Sequence, residues 1–185
     1  VGGASKTVTL SGTNAGTFSI SSGPNSTYAT ASISGSTITI TPKAEGTTSL
    51  IAKEANGNKT VTISITVKST TITANPTSIT VYAGGENGTV TLNGTNAGTF
   101  SISKQPDSTY ATASISGSKI TIVGKSAGTT SLIAKEANGN KTVTVNITVK
   151  TANYSITSSS STNYYETLAE AVIGATSGQT VKTLR

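Results

Sequence analysis

The side chains best suited to chemistry lie in a segment that the chain carries twice. The sequence LIAKEANGNKTVT runs from Leu50 to Thr62 and recurs unchanged from Leu132 to Thr144. It combines lysine, glutamate and asparagine, from which a lysine–asparagine isopeptide cross-link with an assisting acid could be made. On a strand, however, Lys53 and Glu54 point to opposite faces, because successive side chains alternate. We therefore predict a hairpin with a solvent-exposed tip, in which Asn56–Gly57 forms a type I′ turn with positive φ at both residues.

Composition limits catalytic and metal-binding chemistry. The chain has no histidine, cysteine, methionine or tryptophan. This excludes disulfides, thiolate nucleophiles, Cys/His zinc sites and the side chain most often used for proton transfer. Its serines and threonines therefore lack an imidazole base. The one acid that both copies share is Glu54, equivalent to Glu136, and one carboxylate per repeat is too few for a calcium site. The sequence predicts a protein that is not an enzyme and has no metal or cofactor.

Ligand binding is a second kind of chemistry that the chain could perform. Carbohydrate sites favour exposed aromatic side chains. Tyr28 and Tyr110 lie within the repeated stretch STYATAS, either at the rim of a site or packed with their hydroxyls in water. The loop SKQPDSTY differs in the second copy by Lys104, Gln105 and Asp107, so the copies could differ in partner there. These five residues are the candidate ligand contacts.

The distribution of charged and apolar residues argues against two kinds of partner, nucleic acids and the membrane interior. The net charge is +6, from 13 basic and 7 acidic residues, but the lysines are scattered instead of forming a basic run. Isolated lysines on strands serve solubility and keep sheet edges from pairing with other chains, so no nucleic-acid binding is predicted. No apolar stretch approaches the about 20 residues that span a bilayer, so no membrane insertion is predicted.

The duplication extends well beyond the hairpin. A shift of 82 positions aligns Thr7–Val67 with Thr89–Val149, and the differences fall mostly at polar or turn positions. Within each copy apolar residues alternate with Thr and Ser, as in VTISITV at 61–67, which indicates half-buried strands. Phe18 and Phe100 follow this alternation, so we predict that they lie in the core. About seven short strands per 80 residues, separated by turn residues, are typical of an antiparallel sandwich. We predict an all-β protein with two tandem sandwiches.

The second copy resembles a known family. Gly84 and Gly85 follow its first predicted strand, YATASISG occupies 110–117, SAGTTSLIAK occupies 126–135 and KTVTVNITV occupies 141–149. These elements resemble the bacterial immunoglobulin-like domains of group 2. The resemblance covers residues 70–150 fully and residues 1–68 in part. It implies Ig-like β-sandwiches, and it implies that the chain belongs to a larger bacterial protein outside the cytoplasm.

Three segments are expected. Residues 1–68 form a sandwich that lacks its first strand, because TTITANPTSITVY precedes only the second copy. Residues 69–150 form a complete sandwich, and the short junction predicts a stiff pair. Residues 151–185 form a strand-helix-strand segment, in which Thr167 and Glu170 predict a capping box and a helix of two to three turns that ends near Gly178. This last segment resembles the element that opens β-helix or β-α-β repeats in bacterial surface proteins, so the chain is expected to continue into a further element.

Three functions are compatible with these features. The first is a structural stalk or display module of a bacterial surface or virion-attached protein, located at the cell surface or on a phage particle and joined to neighbouring domains. The second is an adhesin or carbohydrate-binding module that uses loops around Tyr28 and Tyr110 to bind a cell-surface glycan or protein. The third is a homo-oligomer, in which TANYSITSSSS of one molecule supplies the missing strand of another by strand exchange.

Overall fold

The structure is a computed structural model that describes residues 3–158 and 161–184. Most of the described residues lie in strands. The strands of the first repeat (residues 1–68) are β1 (Lys6–Thr9), β2 (Phe18–Ser22), β3 (Ala29–Ser34), β4 (Thr37–Pro42), β5 (Gly46–Glu54) and β6 (Thr60–Val67). Those of the second repeat (residues 69–150) are β7 (Thr73–Asn75), β8 (Ser78–Tyr82), β9 (Gly88–Asn93), β10 (Phe100–Lys104), β11 (Ala111–Ser116), β12 (Lys119–Gly124), β13 (Gly128–Glu136) and β14 (Thr142–Lys150). The remaining elements are β15 (Tyr154–Thr157), β16 (Thr162–Tyr165), α1 (Leu168–Gly174) and β17 (Val181–Thr183).

The first repeat is a sandwich of two three-stranded sheets. Their strand orders are β1-β4-β3 and β2-β5-β6, and every pairing is antiparallel. The apolar residues of the two inner faces form one core, to which Ile38 contributes from one sheet and Leu50 from the other, both without solvent exposure. Phe18 packs against this core. The alternation of apolar and polar residues therefore produces the two-layer fold that the sequence predicts.

The second repeat has the same plan with one additional strand in each sheet. The strand orders are β11-β12-β9-β7 and β10-β13-β14-β8. Its core joins residues such as Ile120 of the first sheet to Leu132 of the second, and Phe100 packs against it. The prediction of an all-β protein with tandem sandwiches and one short helix is confirmed. One pairing is not antiparallel, because β8 runs parallel to β14.

The segment that precedes the second repeat is two strands, although the sequence suggested one. β7 pairs antiparallel with β9, and β8 pairs with β14 in the other sheet. Pro76 lies between the two strands. Since proline has no N–H and cannot extend a ladder, the chain leaves one sheet there and joins the other. One segment of the second repeat thus covers an edge of both sheets.

The strands equivalent to β9 and β14 in the first repeat have no such cover. β1 and β6 are sheet edges within the described residues, and the core beneath them is less shielded. Leu10 is 9% exposed where Leu92 is 1% exposed, and Ile65 is 8% exposed where Ile147 is 1% exposed. The two additional strands therefore account for a better-sealed core in the second repeat.

The chain forms two compact units. The first comprises Val1–Thr71, Gly94–Gly98 and Ala137–Lys141, and the second comprises Ile72–Asn93, Thr99–Glu136 and Thr142–Arg185. The strands after residue 150 belong to the second unit, where β15 is the central strand between β16 and β17. Tyr164 of β16 lies with its ring centroid 6.0 Å from that of Tyr82.

The helix begins as the sequence predicts and ends earlier. Thr167 Oγ1 accepts from Glu170 N at 3.2 Å, and Glu170 Oε2 accepts from Thr167 N at 3.2 Å, which confirms the capping box. The predicted end near Gly178 is wrong, since Ala175 is already extended and its N–H donates to Val172. Ala171 is the buried residue of α1.

Within the described residues, the structure contains no helix with the length and apolar composition needed to span a membrane.

A tyrosine ring covers a glycine at the same place in both repeats. A Cβ atom at Gly46 would lie 2.5 Å from Cδ1 and Cε1 of Tyr28, and one at Gly128 would lie 2.4 Å from the same atoms of Tyr110. Both glycines have φ values that other residues rarely adopt, +151° and +154°. Each ring therefore requires a residue without a side chain beneath it, on two independent grounds.

We predict that Gly46→Ala lowers the free energy of unfolding of the first repeat by about 2 kcal/mol or more, because the added methyl group meets the ring and the backbone is strained. The matched control is Gly23→Ala in the same repeat, where a Cβ would meet nothing within 4 Å and φ is not in the left-handed region. Urea denaturation of both variants checks the prediction. Equal midpoints for the two variants would contradict it.

Candidate functional site

The repeated tip between β5 and β6 is the first candidate site. The two strands pair as far as Lys53 opposite Thr60. Beyond this pair the backbone N–H of Glu54 donates to Lys59 O at 3.0 Å. Residues 55–59 are then left to turn the chain. The tip places the shared glutamate at the base of this loop, with its carboxylate toward the loop backbone.

The Glu54 carboxylate acts as an acceptor for the whole tip. Oε2 accepts from the backbone N–H of Asn56 at 2.8 Å. Oε1 accepts from Gly57 at 2.8 Å and from Lys59 at 2.9 Å. A more distant contact joins Oε2 to Gly16 N at 3.5 Å. An ionised carboxylate has room for about four such bonds, so its acceptor capacity is satisfied by backbone groups.

These bonds hold the pKa of Glu54 below its ordinary value. The largest cause is the hydrogen bond from Lys59 N–H, which stabilises the ionised form, and the bonds from Gly57, Asn56 and Gly16 act in the same direction. Desolvation of the carboxyl group opposes them. A carboxylate with a lowered pKa is a weaker base, which is the opposite of what proton abstraction near neutral pH requires.

The two asparagines of the tip have different tasks from those expected. The sequence predicted positive φ at Asn56 and Gly57, but this prediction is wrong, because the positive value in the tip belongs to Asn58, at φ 57°. The Glu54 carboxylate organises a loop longer than a two-residue turn, and the left-handed residue moves toward its end. Asn56 instead donates its Nδ2 to Asn14 O at 2.8 Å.

The second repeat reproduces part of this arrangement. Asn138 Nδ2 donates to Asn96 O at 2.8 Å, as Asn56 does to Asn14. Asn140 has φ 58°, which matches Asn58. Glu136 is fully buried, whereas Glu54 is partly exposed. Loop geometry thus accounts for Glu54, Asn56 and Asn58 of the repeated segment, because each bonds to, or shapes, the backbone of the first tip.

The two candidate tyrosines face glycines. As described above, one face of each ring covers Gly46 or Gly128, and Tyr110 packs against the core of the second repeat. The carbonyl of Tyr28 accepts from Lys43 N at 2.8 Å, and that of Tyr110 accepts from Lys125 N at 2.8 Å. Both residues are half-buried. Their positions are explained by packing, and they do not line the groove that holds the other three candidates.

Lys104, Gln105 and Asp107 do come together. They line a surface groove of about 760 Å³ whose other wall includes Thr130 and Asn146. The register of β10 against β13 shifts between Ile102 and Lys104, next to this groove. The Asp107 side chain is occupied in its own turn, because Oδ1 accepts from Thr109 N at 2.9 Å. Hydrogen bonds from the backbone and side chain of Thr109 lower the pKa of Asp107.

Asp107 has a neutral counterpart that performs the same task. Asn25 Oδ1 accepts from Thr27 N at 2.9 Å, and Asn25 N donates to Thr48 Oγ1 at 2.8 Å. Asp107 N donates to Thr130 Oγ1 at 2.8 Å in the same way. The acid of the second repeat is therefore accounted for by turn structure, while Lys104 and Gln105 remain as exposed side chains of the groove.

A cleft lies beside the first repeat, at the place where the sequence predicts a missing strand. A space of about 690 Å³ lies beside β1 and β6, lined by residues that include Lys6, Val8, Ile63 and Ile65. Its lining also includes Gly3, Ala4, Asn96, Ala97, Ala137 and Asn138. All its lining residues belong to the first compact unit.

Comparisons with known proteins give structural likenesses only. No protein-family model matches the chain, and no curated protein matches it. It is similar to domains 4 and 5 of the S-layer protein SbsC, with 28% identity, a TM-score of 0.35 and coverage of 76% of this chain and 74% of that one. It is also similar to domains 1–6 of SbsC, with 29% identity, a TM-score of 0.37 and coverage of 80% of this chain and 22% of that one. The I9–I11 tandem of titin is 16% identical, with a TM-score of 0.41 and coverage of 80% of this chain and 60% of that one. The chain thus spans less than a quarter of the longer SbsC structure. The fold assignment rests on the strand pairings themselves.

The lowered pKa of Glu54 predicts a pH dependence for the tip. Because the unfolded chain binds this proton at about pH 4.3, the carboxylate's contribution to stability is fully present above that pH. It is lost as pH falls through the lower pKa of the folded state. We expect the amide shifts of Gly57 and Lys59, followed by NMR, to titrate with a midpoint below about 4.3. Glu54→Gln should remove this titration and speed amide exchange at both residues.

Asp107→Asn serves as the control for Glu54→Gln. It replaces an acid by an amide at a turn where the first repeat already carries the amide, so the tip amides should be unchanged. A midpoint at or above about 4.3 for the tip amides would contradict the account given for Glu54.

The intact mass tests the cross-link that the sequence raised. With Glu54 bonded to backbone N–H groups, we expect no lysine–asparagine isopeptide bond at the tip. Mass spectrometry of the purified chain should give the mass of the sequence. A chain lighter by one ammonia, with a cross-linked tryptic peptide from 50–62, would show that the bond forms.

Proposed function

We propose that this chain is a non-catalytic structural segment of an extracellular bacterial surface protein, which holds neighbouring parts of that protein in place under tension. Three segments are proposed within it: residues 1–68 and 69–150 as Ig-like domains of the bacterial type, and residues 151–185 as the start of a further element. The main support is the parallel pairing of β8 with β14, near the two ends of the second repeat.

Parallel end strands resist tension efficiently. β8 lies near the start of the second repeat and β14 lies at its end, with Ser78–Tyr82 opposite Asn146–Lys150. Because both strands run in the same direction, tension on the two chain ends pulls them in opposite directions along their axes. The hydrogen bonds between them are then loaded together in shear, and several must break at once before the sandwich opens.

The hydrogen bonds at the two ends of this ladder show which N–H groups take part. Asn146 N donates to Thr77 O at 2.9 Å, and Ala83 N donates to Lys150 O at 2.9 Å. In a parallel pair every second residue of an edge strand faces its partner. The N–H groups of Val81 and Ile79 therefore point toward β14, while that of Thr80 points away from it.

The repeated tip supports the same proposal. Its one shared acid is bonded to backbone N–H groups and has a lowered pKa, so it stabilises a loop and is a poor catalytic base. Glycan binding by Tyr28 and Tyr110 has less support, because one face of each ring covers a glycine. A sugar would have to stack on the opposite face, and each residue is half-buried.

We predict two classes of unfolding event when the full chain is stretched from its ends by atomic force microscopy. The first repeat should open at the lower force, because β1 and β6 lie in different sheets and no ladder joins them. Val81→Pro should reduce the higher force substantially, since it removes an N–H from the shear ladder.

Val81→Ala is the matched control for the lost side chain, because Val81 is buried. It removes the same methyl groups and keeps the N–H, so it should lower the force much less than Val81→Pro. A single force class in the unmodified chain, or equal effects of the two variants, would count against the proposed mechanical role.

A further inference from the structure

Several positions that differ between the two repeats meet in the 760 Å³ groove of the second repeat. They are Lys104, Gln105, Asp107 and Asn146, and the first repeat carries Ser22, Gly23, Asn25 and Ser64 in their places. In each case the second repeat has the longer or the charged side chain. Residues 104–107 lie at the end of β10 and in the loop after it, whereas Asn146 lies in β14. The fold thus brings together differences that are far apart in the sequence, so the two copies can differ in what they bind here.

The groove lies over a closed part of the sandwich. Asn146 and Thr148 alternate with the buried residues Val145, Ile147 and Val149, so they point outward from the sheet. β14 is paired on one side with β13 and on the other with β8. All the lining residues of the groove belong to the second compact unit. The groove is therefore a surface of the complete sandwich, and its form does not depend on an uncovered edge of β14.

Three side chains of this groove have donor groups without a protein partner among the described residues. The Lys104 ammonium forms no ion pair or hydrogen bond there, and the side-chain amides of Gln105 and Asn146 form no hydrogen bond. All three residues are exposed. The Asp107 carboxylate, in contrast, is engaged with Thr109 in its own turn. The groove therefore offers one positive charge and two amides to a ligand that carries a negative charge and hydroxyl groups.

We propose that this groove binds an acidic oligosaccharide, a chain of sugars that carry carboxylates. Lys104 pairs with a sugar carboxylate, and the amides of Gln105 and Asn146 bond to ring hydroxyls, since an amide can both donate and accept. Thr129 and Thr148, which also line the groove, add hydroxyl groups for the same purpose. This inference goes beyond the mechanical role and does not depend on it.

The lining of the groove favours a charged sugar over a polypeptide or a neutral sugar. Among the described residues that line it, none is aromatic, and Ile147 is buried in the core. Protein partners are usually held by aromatic or arginine anchors in dry pockets, and an added strand needs a free edge, which β14 lacks. A neutral sugar would depend on stacking against a ring. Charge and hydrogen bonding are the means of recognition that this groove provides.

Calorimetry of the full chain with a galacturonic acid trimer tests the proposal. The methyl ester of the same trimer is the matched ligand control, because it keeps the sugar hydroxyls and removes the charges. The unmodified chain should bind the acid at least about tenfold more tightly than the ester, because a hydrogen bond between charged groups contributes that much. Added salt should weaken binding of the acid, since it screens exposed charges.

Exchange of residues between the repeats supplies the matched protein variants. Lys104→Ser/Gln105→Gly/Asn146→Ser gives the second repeat the residues that the first repeat carries, and it should weaken binding of the acid at least about tenfold. The reverse change, Ser22→Lys/Gly23→Gln/Ser64→Asn, should add a second binding site to the chain. Amide shifts followed by NMR should locate the bound trimer at residues 104–107 and 146–148.

Several results would overturn the proposal. They are failure of the acid trimer to bind at millimolar concentration, equal binding of acid and ester, unchanged affinity in the triple variant of the second repeat, and shifts confined to residues outside the groove. A glutamate peptide that binds there more tightly than the acid trimer would identify an acidic polypeptide as the ligand and overturn the assignment to a sugar.

Discussion

Edge pairing is the constraint on which the rest of this structure depends. A sandwich of about 80 residues has a thin core, so a strand at the edge of a sheet covers a large share of the apolar residues beneath it. The two repeats show the effect with nearly the same residues. Where β7 and β8 complete the sheets, Val90 and Val145 have no solvent exposure, and where they have no equivalent, Val8 and Ile63 are partly exposed. Burial at these positions follows the neighbouring strand and not the residue type.

The identical hairpins are explained at the level of the backbone. Glu54 supplies acceptors for three N–H groups that the tip cannot satisfy by itself. Asn56 ties the tip to a second loop through Asn14 O, and Asn58 adopts the left-handed conformation that asparagine tolerates. A loop with this many specified bonds leaves little room for substitution. Its strict repetition therefore reflects a demanding turn, and the same reasoning applies to the Tyr–Gly pairs, in which ring and glycine depend on each other.

The sequence predicts most of the framework and less of the detail. Period-two alternation identifies the strands and the core positions of Phe18 and Phe100, and the Thr167–Glu170 spacing identifies the helix start, because both are local patterns. The position of the left-handed residue in the tip does not follow from a local pattern, because it depends on which N–H groups the Glu54 carboxylate binds. The early end of α1 and the division of the leading segment into two strands depend on tertiary pairing in the same way. The groove around Lys104 was predictable only as a loop that differs between the copies.

The few differences between the repeats are therefore more informative than their many identities. Identity is required wherever both copies meet the same local demand, as at the tip. At the edge of the sandwich the second repeat meets a further demand, because it must accommodate β8 in close contact. Glycine at 88 and 124 permits close approach of β8, and the equivalent positions of the first repeat carry Lys6 and Pro42. Backbone ladders carry no sequence information, so the side chains that face the core must determine which strand an edge can accept.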